Sequence, residues 1–192
     1  MRKERQTRSQ ACDYRVRDEG GEKYIEAYFA VFDGVYEIWP GATESVDPAA
    51  FDETIKEDDI RCLIDHDTRL VLGRNRAGTF ELRVDTHGLW GRVKINPDDT
   101  DAMNLYARVM RGDVSQCSFG FEILDEETEY REDGSVHWTI KRVKMYEGSI
   151  CTFPAYKDTV AQARKDEVDQ MKKRKAEAFR EKCMRRLRKN GA

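Results

Sequence analysis

The chain has 192 residues, 39% of them hydrophobic and 37% charged, with a formal net charge of −3; this is the size of one domain with room for an appendage. Its longest apolar runs, such as Ala27 to Phe32, fall far short of the roughly 20 residues that cross a bilayer, and the charged start Met1-Arg2-Lys3-Glu4-Arg5-Gln6 does not read as a secretory signal, so neither a membrane span nor export is expected. The charge is uneven: from Ala161 onward 12 Lys or Arg stand against 5 Asp or Glu, a net of +7, whereas the preceding residues carry a net of −10.

In chain order, Met1 to Gly21 is polar and punctuated by Gly20-Gly21, which predicts a flexible leader. Tyr24 to Phe32 alternates and is rich in aromatic and β-branched residues, a strand buried on much of both faces. Asp47-Pro48-Ala49-Ala50-Phe51 has the form of a capped helix start with proline at the first position, giving a short helix to about Lys56. Ile60 to Asp65 is a second strand and delivers His66 at its end. Phe80 to Asp85 and Leu89 to Ile95 form a hairpin through Thr86-His87-Gly88. The set Ala102, Leu105, Tyr106, Val109 and Met110 recurs at helical spacing until Gly112 stops it. Gln116 to Leu124 is a strand; Glu129 to Arg131 and Val136 to Met145 flank the turn signal Asp133-Gly134; and Glu147 to Thr152 is a further strand. Hairpins dominate this order, so the expected class is α+β, mainly antiparallel β, a sheet or small barrel with attached helices. After Asp158 a long solvated helix is expected, with a thin stripe through Val168, Met171, Phe179, Cys183 and Leu187. The organisation is then a leader over 1–21, a domain over 22–160 and a basic helical tail over 161–192.

Chemistry has few places to sit. The five cysteines, Cys12, Cys62, Cys117, Cys151 and Cys183, are odd in number and lack Cys-x-x-Cys spacing, which argues for reduced thiols. Of the three histidines, His87 falls in a turn and His137 in mid-strand, whereas His66 ends an apolar strand between Asp65 and Asp67. Those two acids could begin a metal site, but no second cluster at ligand spacing accompanies them; no metal or cofactor is expected. Asp65 would favour the charged form of His66. Ser118 lies in a strand beside Gly120, which leaves room for a peptide to approach, while Cys117 shares the opposite face with Phe119 and Phe121 and reads as a buried, inert thiol. Glu147 opens an apolar strand. A serine nucleophile needs a base and a third group that orients the base, and Ser118, His66 and Glu147 are one candidate for each role. Each also has an ordinary reading: a hydrogen-bonded strand-end histidine, a strand serine, a solvated glutamate.

An ordered set of short motifs runs from Tyr28-Phe29-Ala30-Val31-Phe32-Asp33 through Pro40-Gly41-Ala42, Ala50-Phe51, Ile64-Asp65-His66-Asp67, Leu72-Gly73 and Gly88-Leu89-Trp90-Gly91. It continues with Met110-Arg111-Gly112-Asp113, Ser118-Phe119-Gly120-Phe121, Glu147-Gly148-Ser149-Ile150 and Pro154-Ala155. This set resembles the prohead maturation proteases of tailed bacteriophages, serine peptidases distantly similar to the herpesvirus assemblins. Asp65, where this family often has asparagine, and Gly148, where a larger apolar residue is common, depart from the pattern. The resemblance implies an assemblin-like barrel and a triad of His66, Ser118 and Glu147. It also implies cleavage of the scaffolding segment of the major capsid protein and of the protease itself, inside a prohead in the host cytoplasm, and a possible homodimer. The alternative is a non-catalytic assembly or scaffold-binding module of the same fold. A nucleic-acid role for the basic tail ranks last, because Phe179 is its one aromatic residue and no stacking platform accompanies it.

Overall fold

Two long strands organise the molecule, β10 (Gln116–Tyr130) and β11 (Val136–Cys151), an antiparallel hairpin turning at Asp133-Gly134 with Gly134 at φ 84°. The structure, a computed structural model, describes residues 5–32 and 34–153, and in the C-terminal segment residues 164–165, 168–171, 173–174, 176–178 and 180–181, which are helical. By contacts the chain divides into two units, Met1–Ala155 and Tyr156–Ala192. Phe179, Cys183 and Leu187 of the expected tail stripe lie outside the described residues.

In the first unit β1 (Gln6–Ala11) runs antiparallel along the first half of β10. On its other side β10 meets β11, which takes two parallel neighbours in turn: β5 (Ala42–Val46) along its first half and β6 (Arg61–Ile64) along its second. The edge strands β4 (Tyr36–Trp39) and β7 (Asp67–Arg74) complete this seven-stranded sheet. A four-stranded antiparallel sheet has the order β2 (Arg15–Glu19), β3 (Glu22–Val31), β9 (Gly88–Ile95), β8 (Phe80–Val84). Among the described residues the strands thus form two separate sheets. The expected closed barrel is not formed, because no ladder joins β2 or β8 to the larger sheet.

The aromatic positions read from the sequence build the core. Phe51 packs edge-on against Phe119 with ring centroids 5.5 Å apart, Phe119 stacks on Phe121 at 4.7 Å, and Phe29 meets Phe80 edge-on at 5.5 Å. Fully burying one such side chain is worth about 1.5–3 kcal/mol. The helix α2 (Thr100–Arg111) ends at its expected stop, Gly112 closing it in the left-handed conformation at φ 84°, and at its start Asp99 accepts hydrogen bonds from the Asp101 and Ala102 amides. Ala102, Leu105, Tyr106 and Val109 are buried, while Met110, at the edge of that stripe, is exposed. The helix expected after Asp47 is split into a 3-10 turn (Pro48–Phe51), capped by Asp47, and the short α1 (Thr54–Glu57).

Three further expectations need correction. The strands expected over Gln116 to Leu124 and Glu129 to Arg131 are one, β10 running continuously from Gln116 to Tyr130. The strands anticipated on either side of Tyr146 are one, since β11 runs unbroken through it. The leader holds two strands, and β1 escaped notice because its buried residues are polar. Gln6 and Arg8 are each 7% exposed, and Arg8 satisfies its charge through Nε and Nη2 on the two oxygens of the fully buried Glu44, at 2.5 and 2.8 Å.

Gly148 explains its own departure from the family pattern. A Cβ placed there would lie 2.8 Å from Cδ1 of Phe29 and 2.9 Å from its Cε1, so the Phe29 ring occupies the space of a larger residue. Overpacking of this kind costs about 1–3 kcal/mol. Gly148→Val is expected to lower the urea-unfolding free energy by that amount, and combining it with Phe29→Leu should return part of the loss.

Candidate active site

His66 is delivered by a two-residue turn. β6 ends at Ile64 and β7 begins at Asp67, and the intervening Asp65 and His66 have φ of 47° and 62°, the mark of a type I′ hairpin turn. Asp and His tolerate that region better than most side chains. Asp65 fastens the turn to the end of β11: its amide donates to the Ile150 carbonyl at 3.0 Å, and its carboxylate accepts from the amide and hydroxyl of Thr152 at 2.7 and 3.1 Å. The Asp65 carboxylate therefore hydrogen-bonds Thr152 rather than the imidazole beside it.

Glu147 sits in the second half of β11 and is only 1% exposed. Its Oε1 accepts from His66 Nδ1 at 2.7 Å and from Arg5 Nη2 at 2.9 Å, and its Oε2 accepts from Ser149 Oγ at 2.5 Å. Burial pushes the Glu147 carboxyl up, but the bonds from His66, Ser149 and Arg5 outweigh it and hold the group below its ordinary value. A carboxylate only accepts, so Nδ1 of His66 carries the proton in this contact, and in the neutral ring Nε2 is a bare acceptor. Nε2 is buried and has no hydrogen-bond partner among the described residues.

Ser118 lies on β10 opposite Ser149, and Gly120 lies opposite Glu147. Side chains two residues apart on a strand share a face, so Ser118, Glu147 and Ser149 all project to one side of the sheet. The structure thus joins two of the three candidates directly and sets the third on their face. It makes no hydrogen bond between Ser118 and His66. Instead Ser118, which is fully buried, donates its hydroxyl to the Arg8 carbonyl of β1 at 2.9 Å. The space beside Gly120, expected to admit a peptide, is taken: a Cβ there would overlap Glu147 Oε1 and lie 3.1 Å from Arg5 Nη2.

The remaining candidates recede. Cys117 is buried, its thiol donating to the Tyr28 carbonyl at 2.9 Å, and its hydrogen bond with Cys12 together with burial pushes its pKa well up. His137 bridges the hydroxyls of Thr43 and Ser45 at 2.8 and 2.9 Å, and His87 packs edge-on against Tyr28. Among the described residues no three His, Cys, Asp or Glu side chains gather as metal ligands, and no helix is long and apolar enough to cross a membrane.

Sequence reasoning missed two contributors, Ser149 and Arg5. Ser149 had a usable signal, since it lies two residues from Glu147 on one strand and must share its face. Arg5 had none, because its approach depends on where β1 is anchored.

The lowered Glu147 pKa has a definite sign. A carboxyl held below its unfolded value contributes stability above that value and loses it as pH falls through the folded one. The stability advantage of the parent over Glu147→Gln should therefore be full at neutral pH and shrink as pH drops below the ordinary glutamate value of about 4.5, as read by chemical denaturation across the acid range.

Residues 10–174 match the caudovirus prohead serine protease family. Among solved structures, the capsid assembly protease gp21 of bacteriophage T4 is similar over 78% of this chain and 98% of its own, with a TM-score of 0.50 at 10% sequence identity; at that identity the likeness speaks for the fold. Among curated proteins nothing matches. With most of its length inside the family match and its fold shared with a capsid protease, the chain belongs to the caudovirus prohead serine proteases.

Proposed function

We propose that this chain is a prohead maturation endopeptidase in which Ser118 is the nucleophile, His66 the base and Glu147 the group that orients the base. The observation that carries the assignment is the His66–Glu147 hydrogen bond at 2.7 Å. It places the proton on Nδ1 and leaves Nε2 free to take one from a hydroxyl. In the reaction Ser118 Oγ attacks the peptide carbonyl carbon while His66 Nε2 accepts its proton. The ring then passes that proton to the departing amine as the C–N bond breaks. Water, activated by the same nitrogen, hydrolyses the acyl-enzyme and restores the serine. Glu147 stabilises the imidazolium in both halves. Ser149 steadies the carboxylate through its second oxygen.

The substrates in this reading are the scaffolding segment of the major capsid protein and the protease itself, inside the assembling prohead in the host cytoplasm. The basic tail over 161–192 is then an extension open to self-removal from the protease domain over 22–160, and a homodimer is the assembly expected by likeness to assemblins.

One observation favours a second reading, a non-catalytic assembly module: the Ser118 hydroxyl is spent on the Arg8 carbonyl. Coexpression with the cognate capsid protein, followed by mass analysis, separates the two. Shortened capsid protein is expected with the parent and full-length capsid protein with Ser118→Ala; identical products from both would end the protease reading. The same comparison on the chain's own mass tests self-cleavage. Glu147→Gln is expected to keep the fold and lower kcat/KM by about 10²- to 10⁴-fold, the usual consequence of losing the orienting carboxylate. Gly120→Ala should act through the same group, since its methyl would displace Glu147 Oε1, and lower kcat/KM by roughly tenfold or more.

A further inference from the structure

One segment reaches two of the three candidate catalytic residues. From Arg5 to Ala11 the chain lies along β10 in the register Ser9 opposite Ser118 and Arg8 opposite Phe119. Within it the Arg8 carbonyl holds the Ser118 hydroxyl at 2.9 Å, and the Arg5 guanidinium shares Glu147 Oε1 with His66. An extended backbone paired with the nucleophile's own strand, one carbonyl on the nucleophile's oxygen, is the posture of a peptide bound by strand addition.

The side chain of Arg8 adds a chemical requirement. It points to the other face of the sheet, where Nε and Nη2 grip both oxygens of the fully buried Glu44 and the guanidinium lies 5.4 Å from the centre of the Phe121 ring. If β1 leaves, Glu44 loses this bidentate pair, and losing one member of a buried ion pair is costly. A strand that brings a cation in the same register restores it. The planar, bidentate fit selects arginine over lysine.

We propose that the outer edge of β10 is the substrate-docking edge of this protease, that Arg5 to Ala11 is its intramolecular occupant, and that the peptide displacing it is extended and carries an arginine in the position of Arg8. The proposal rests on Ser118 being the nucleophile. It makes the chain latent as folded: turnover requires β1 to yield the edge, and an in-register basic segment is what takes it.

A reversible lock tests this in the full chain. Cys12 N donates to the Ser115 carbonyl, so by antiparallel alternation Ala11 and Gln116 form a non-hydrogen-bonded pair with Cα atoms about 4.5 Å apart, close enough for a disulfide. In the Ala11→Cys/Gln116→Cys variant, the linkage being verified by peptide mapping, oxidation is expected to slow labelling of Ser118 by a fluorophosphonate probe at least about tenfold. Reduction should restore the rate. Equal rates in both states would overturn the latent edge while leaving the protease reading standing. No labelling of Ser118 in any state would overturn that reading and this proposal with it.

The arginine requirement is read separately with a fluorescent peptide, Arg-Gln-Thr-Arg-Ser-Gln-Ala, added to the Arg8→Ala chain. Replacing its second arginine by alanine should weaken binding at least about tenfold, and replacing its first should matter less. Equal binding of the two central variants would overturn arginine recognition. If Arg8→Ala does not fold, as judged by circular dichroism, Arg8→Met/Glu44→Gln removes both partners at once. There the labelling rate should rise above that of the parent while the peptide's arginine preference disappears; an unchanged rate, or a retained preference, would count against the proposal.

Discussion

A single buried carboxylate, Glu147, ties the site together. Removing a charge from water is expensive unless hydrogen bonds replace the lost solvent, and three donors from three separate parts of the chain converge on this one: the ring of His66, the hydroxyl of Ser149 and the guanidinium of Arg5. Each is there for a different structural reason. Ser149 shares a strand face with Glu147, His66 arrives on the turn between β6 and β7, and Arg5 precedes the edge strand. The depressed pKa of Glu147 shows that the three together outweigh its desolvation.

Topology makes that convergence possible. β6 runs parallel to β11, with Ile64 opposite Ile150, so the turn after β6 opens beside the end of β11. Asp65 then pins the turn there through Thr152. Both turn residues accept left-handed backbone to do this. The ring of His66 consequently meets Glu147 from one side of the sheet, while the hydrophobic alternation of β10 sends Cys117, Phe119 and Phe121 to the other. A strand that is apolar on one face and carries Ser118 and Gly120 on the opposite face separates core from chemistry by the pleat alone.

That separation was also what sequence could reveal. The Ser118-Phe119-Gly120-Phe121 alternation, the apolar strand ending at His66, and the Gly112 limit of α2 are local patterns, and local patterns survive the absence of a structure. The pieces that stayed hidden depend on non-local polar pairing. β1 has no hydrophobic period because its inward positions are Gln6 and Arg8, and an inward arginine is intelligible only once Glu44 is known to face it. The continuity of β11 was hidden too, since Tyr146 and Glu147 interrupt its apolar pattern. The engagement of Ser118 with Arg8 could not be read at all, for it depends on the β1 register.

The way β1 is held bears on how it could leave. An edge strand anchored by large apolar side chains is retained by area removed from water, and any equally greasy segment could compete for its place. β1 is anchored instead by the Arg8–Glu44 pair on one face and by Arg5 and the Arg8 carbonyl on the other. A buried ion pair gains little net stability after desolvation is counted, but losing one member is severe. Such an anchor is therefore weak as glue and strict as a key. It gives little resistance to exchange with a strand offering the same charge in the same register, and strong resistance to leaving the edge empty or filled by the wrong sequence. On the proposed reading, with Ser118 the nucleophile and β1 on the substrate edge, this coupling would let substrate itself lift the block on Ser118.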